Sequence, residues 1–143
     1  MKGTSMTAVL FRFDVDAAPH EVLEALKTAD GIKSFWTTRA EVPRDVGETL
    51  KLSFPVAPAP FDLRLEQSDD QTVAWRTETF PPHWVGTTIR WDVEARDGNS
   101  TVSFRHDGFG DDADAGHAAF TWGQIVVQLK HYAETGNPAP VFA

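Results

Sequence analysis

Apolar and polar positions alternate at the start of the chain: Val9, Phe11, Phe13 and Val15 fall on one side, Arg12 and Asp14 on the other. A period of two predicts a strand with one buried face. The period then lengthens. In "AAPHEVLEALKTA" Val22, Leu23, Leu26 and Ala29 form a helical stripe behind Pro19, which fits a first helical position. "DGIKSFWTT" predicts a second, shorter helix showing Ile32, Phe35 and Trp36. Alternation returns in "ETLKLSF", "FDLRLEQ", "TVAWRTE", "VGTTIRWDVEA" and "STVSFRHDG". Breaks separate these runs at the prolines of "PVAPAP" and "FPPHW", at "SDDQ" and at Asp97–Gly98. Proline cannot donate to a ladder, and Asp-Gly is a strong hairpin signal.

One-sided alternation in successive strands means an antiparallel sheet with one wet and one apolar face. Something must cover the apolar face, and the last periodic segment is the candidate. On a wheel of about 100° per residue, Tyr132, Ile125, Ala118, Leu129, Trp122, Ala115, Ala133, Val126 and Ala119 fall within about 140°. Phe120 and Val127 are exceptions on the polar side. Asp111, Asp112 and Asp114 complement the positive helix start, and Gly136 with Pro138 ends it. The predicted order is strand, two helices, five strands, long helix. It forms one α+β domain over residues 1–143, with a loose leader at 1–6 and a tail at 137–143. Gly123 is unfavourable inside a helix by roughly 1 kcal/mol relative to Ala. That predicts a close approach there, by a neighbouring backbone such as that of the short helices or by a ligand.

Composition narrows the function. The formal net charge is −8, with 13 Lys and Arg against 21 Asp and Glu and no evident basic stripe. That argues against nucleic acid and anionic membranes as partners. With no cysteine there is no disulfide, thiolate metal site or thiol nucleophile. No apolar run of about 18 residues predicts a membrane span, and the start lacks a signal-peptide core. A cytoplasmic protein is expected. Ten Phe and five Trp favour a large aromatic core or a roomy apolar cavity.

Two motifs fail on inspection. Gly108, Gly110 and Ala113 fit a dinucleotide fingerprint, but Asp111 and Asp112 stand where bare backbone donors are needed, and the strand belongs to a hairpin. The same stretch lacks calcium-loop spacing, since Gly116 replaces an oxygen ligand. His106, Asp107 and His117 make a weak metal constellation. No cofactor and no metal are expected.

Four stretches, "FDVDAAPHEVLEAL", "SFWTT", "WVGTTIRWDVEARDGNSTVSFRHDGF" and "TWGQIVVQLKHYAETG", resemble the helix-grip superfamily in order and spacing. This superfamily includes START lipid-transfer domains, birch-pollen-allergen proteins and polyketide cyclases. Within it the chain looks most like the activator-of-heat-shock-ATPase-like bacterial proteins. The resemblance implies six curved antiparallel strands gripping the last helix, with two short helices between the first and second strands. It also implies a cavity between sheet and helix.

The candidate ligand-binding residues are then Trp36, Phe54, Phe61, Trp75, Thr77, Ile89, Trp91, Phe104, His106, Trp122, Val126 and Leu129. The large ones either wall a cavity or fill a solid core. By alternation His106 points inward, either as a ligand contact or general acid–base, or as a core histidine satisfied by a backbone carbonyl. His83 and Trp84 sit in a loop at the expected cavity mouth. The leading expectation is binding of a small hydrophobic molecule (lipid, aromatic or polyketide-like) without catalysis. The alternatives are a cyclase or dehydratase using His106, and an interaction protein that activates a chaperone ATPase. A homodimer is allowed for.

Overall fold

The computed structural model describes residues 7–143. The expected leader at 1–6 lies outside the described residues. The elements are β1 (Thr7–Val15), α1 (Pro19–Lys27), α2 (Ala29–Phe35), β2 (Arg39–Glu41), β3 (Thr49–Ser53), β4 (Phe61–Ser68), β5 (Thr72–Thr77), β6 (Thr88–Arg96), β7 (Asn99–Phe109) and α3 (Asp112–Thr135). The strands form one antiparallel sheet in the order β1-β7-β6-β5-β4-β3-β2.

The sheet has seven strands, not the six expected. The additional strand, β2, is three residues long and mostly exposed. An edge strand that short has no room to display an alternating pattern. Arg39, Ala40 and Glu41 pair with Ser53, Leu52 and Lys51.

Register carries the alternation across the sheet. Val9, His106, Ile89, Trp75 and Leu65 stand directly opposite one another along one inner row. A bulge between Leu65 and Gln67 shifts the β4–β5 pairing, and such bulges bend and twist a strand. The β6–β7 hairpin turns at Asp97 and Gly98, whose φ angles of 52° and 87° are both left-handed. That is the conformation for which Asp-Gly is selected.

α3 lies across the inner face. Asp111 caps it, accepting the Asp114 backbone N–H at 2.8 Å, and Gly136 ends it. Between helix and sheet the aromatic rings meet one another. Trp122 touches Trp36 and Phe104, with centroids 5.0 and 4.6 Å apart, and Trp91 reaches Phe104 at 4.6 Å. Trp75 closes on Trp36 at 5.8 Å and on Trp91 at 6.4 Å. These separations span the favourable range for aromatic pairs. All five rings are buried. The space beneath the middle of α3 is therefore a filled core.

α1 and α2 meet at Thr28, which ends the first helix and caps the second by accepting the Gly31 N–H at 3.0 Å. Gly31 lies against Ala25, where an added Cβ would overlap the Ala25 backbone. Gly123 is the opposite case: a Cβ there would meet nothing within 4 Å. The expected approach of the short helices to Gly123 is thus corrected, because the close helix contact lies at Gly31. Beyond α3 the tail folds back. The Phe142 N–H donates to the Trp36 carbonyl at 2.9 Å, and the Thr38 N–H donates to the Phe142 carbonyl at 3.1 Å.

Because backbone cannot move as a side-chain tip can, Gly31→Ala is expected to lower stability by about 1–3 kcal/mol. Urea unfolding followed by tryptophan fluorescence measures this.

Candidate functional site

Among the described residues, a cavity with mainly apolar walls lies at the end of the core, not in its middle. It measures about 280 Å³. Trp36 forms its floor from the end of α2. Phe54, Val56, Ala57 and Phe61 come from the ends of β3 and β4 and the proline-rich loop between them. Pro81, His83 and Trp84 enter from the β5–β6 loop, α3 contributes His117, Ala118, Thr121 and Ile125, and the tail contributes Phe142. Phe54 holds the wall together edge-on to Phe61 and Phe142, at 4.7 and 4.9 Å. The polar side chains among these are the imidazoles of His83 and His117 and the Thr121 hydroxyl.

Three of the candidate wall residues meet here: Trp36, Phe54 and Phe61. Trp75 borders a separate cleft of about 230 Å³, with Lys27, Arg44 and Ser68 among its neighbours. Thr77, Ile89, Trp91, Phe104, His106, Trp122, Val126 and Leu129 are buried in the solid core. His83 and Trp84 both line this cavity. Val56, Ala57, His117, Ala118, Thr121, Ile125 and Phe142 were not anticipated as lining residues. Ala118 and Ile125 lay within the apolar arc of α3, but that arc spans both core and cavity. Nothing in the tail's sequence tied Phe142 to Trp36.

His106 sits one layer behind the cavity, against the Trp84 ring at 4.6 Å and the Phe109 ring at 4.4 Å. It is fully buried. Trp122 Nε1–H donates to His106 Nδ1 at 2.9 Å. An indole N–H can only donate, so Nδ1 is unprotonated and Nε2 carries the proton. Nε2 then donates to Thr87 Oγ1 at 2.8 Å, and that hydroxyl donates to the Trp84 carbonyl. The expected backbone partner is thus replaced by an indole and a hydroxyl. The relay ties α3 to β7 and holds the Trp84 loop. Burial, aided by the nearby His83, pushes the His106 pKa down to about 3. A general acid–base must reach the proton it moves, and both nitrogens of His106 are engaged inside the core. Among the described residues, no group of three or more His, Asp or Glu side chains is placed to hold a metal. No helix there is long and apolar enough to cross a membrane.

No family model and no curated protein matches the chain. Solved structures do. The Aha1 dimer from Colwellia psychrerythraea is 26% identical with a TM-score of 0.81, covering 91% of this chain and 98% of that one. Protein SSP2350 from Staphylococcus saprophyticus is 20% identical with a TM-score of 0.74, covering 93% and 96%. DynU16, from the dynemicin biosynthetic locus, is 18% identical with a TM-score of 0.76, covering 92% of this chain and 48% of that one. The resemblance seen in the sequence holds at the level of fold: the chain has the fold of the Aha1 protein.

A neutral, buried His106 takes up no proton until about pH 3, whereas an unfolded histidine does so near 6.5. The unfolded state therefore binds more protons below that value, and stability falls as pH drops from 6.5 toward 3, on the order of 1 kcal/mol per pH unit. Denaturant titrations between pH 7 and 5 should show this slope. His106→Phe should flatten it, while lowering stability at pH 7 by stranding the Trp122 indole N–H and removing the donor that Thr87 Oγ1 accepts from.

Proposed function

We propose that this chain binds a small, mainly apolar molecule in the cavity between the N-terminal half of α3 and the two loops facing it. The observation that carries the reading is the contrast between a filled core and an open apolar space of about 280 Å³ at its end. Drug-sized ligand pockets start at about 300 Å³, and an engineered apolar cavity of about 150 Å³ takes up benzene. A one- or two-ring aromatic or a short acyl chain suits the size, while a long lipid does not. Burial of apolar surface supplies the affinity at about 25 cal/mol per Å². His83, His117 and Thr121 supply orientation. Trp36, Phe54 and Phe61 touch the guest, and the remaining candidates, Thr77, Trp91, Phe104, His106 and Trp122 among them, act by holding those walls in place.

In this reading the chain works as one domain in the cytoplasm, as a binding protein without cofactor or metal. The cyclase alternative loses its acid–base, because His106 is committed to Trp122 and Thr87. A chaperone-ATPase role rests on likeness of fold, and fold is a poor guide to function. We also infer that the chain forms a homodimer, a reading supported by the dimeric state of the Colwellia Aha1 protein.

Thr121→Trp places an indole in the space from its rim without disturbing the core. With 2-naphthol as probe, this variant is expected to weaken binding at least tenfold while leaving the unfolding midpoint nearly unchanged. Equal binding by variant and wild type would place the probe elsewhere.

A further inference from the structure

α3 is apolar on two sides. Its inner side meets the sheet. On its outer side Phe120 and Val127 are 77% and 59% exposed, and seven residues apart they share one stripe. Gly116 and Gly123 fall on the same stripe, and a Cβ on either would meet nothing within 4 Å. Among the described residues nothing covers this face. Two large apolar side chains beside two notches make a surface that complements itself.

We propose that this outer face of α3 is where two copies of the chain meet, helix against antiparallel helix about a two-fold axis between Gly123 and Gln124. This rests on the homodimer reading and adds the surface. A two-fold contact uses the same patch on both partners. With the axis there, Phe120 of each copy lies opposite Val127 of the other, and its ring has the notch at Gly123 to enter. Charge selects the direction. Asp112 and Asp114 occupy the first turn, while the last turn carries no basic residue and Lys130 before it is paired with Glu134 of its own helix. Antiparallel helices hold the two acidic first turns apart and oppose the helix dipoles. Parallel helices would align acid with acid. The loss of helix stability at Gly123, unexplained within one chain, is accounted for by the close approach of a second.

The chain contains no cysteine, so introduced thiols report proximity without background. Sedimentation of the full chain at 1–500 μM is expected to show a concentration-dependent shift toward twice the 15.8 kDa monomer. Phe120→Glu with Val127→Glu is expected to weaken the dimer at least thirtyfold. Both positions are exposed, so the near-UV spectrum of the tryptophans should be unchanged. Gln124→Cys, next to the axis, should form a disulfide-linked dimer on mild oxidation, and Glu94→Cys on the outer sheet face should not. A wild-type chain that stays monomeric throughout overturns both the homodimer and its surface. A dimer that survives the double substitution, with Glu94→Cys linking as readily as Gln124→Cys, overturns the α3 surface alone.

Discussion

The contact between Trp122 and the sheet is the constraint on which the rest depends. Its indole lies among Trp36, Trp91, Phe104 and Trp84, and its one polar atom is fixed by His106. Each large side chain removed from water contributes roughly 1.5–3 kcal/mol, so this cluster supplies much of the adhesion between α3 and the sheet. Apolar burial alone has no direction. The hydrogen bond from Trp122 to His106 adds direction, because a buried N–H left without its acceptor loses about 1–3 kcal/mol. One rotation and one depth of α3 satisfy both.

That pin also shapes the candidate site. His106 Nε2–H donates to Thr87 Oγ1, whose hydroxyl donates to the Trp84 carbonyl. The loop carrying His83 and Trp84 is thereby positioned by the core behind it. The cavity begins where the aromatic cluster ends, at Trp36 and Trp84, and is finished by less regular segments: the proline-rich loop, the β5–β6 loop and the returning tail. A rigid core with a loop-lined opening at its end is a common division of labour in binding proteins.

Much of this was legible from residue order. Alternation in β1 and β3–β7 gave the sheet and its inner face, Pro19 marked the start of α1, Asp97–Gly98 the hairpin and Gly136 the end of α3. Three features were not legible. β2 is too short to show a period. The Phe142 anchor is a long-range contact made by a two-residue apolar patch behind prolines. The division between core and cavity was also hidden, since both want the same residues: Trp36 and Trp91 look alike in sequence, yet one floors the cavity and the other is enclosed by rings. The partner of His106 was unreadable for a related reason. Alternation placed the side chain inside, but which donors meet it depends on how α3 is rotated.

The most direct measurement is a titration of methyl-labelled protein with 2-naphthol, followed by NMR. Binding at the end of the core predicts saturable shifts at Val56, Ala57, Ala118 and Ile125, with Val93, Val102 and Leu129 unmoved. Shifts centred on those three core residues, or no saturable shift at any methyl, would contradict a solid core with a receptive cavity at its end.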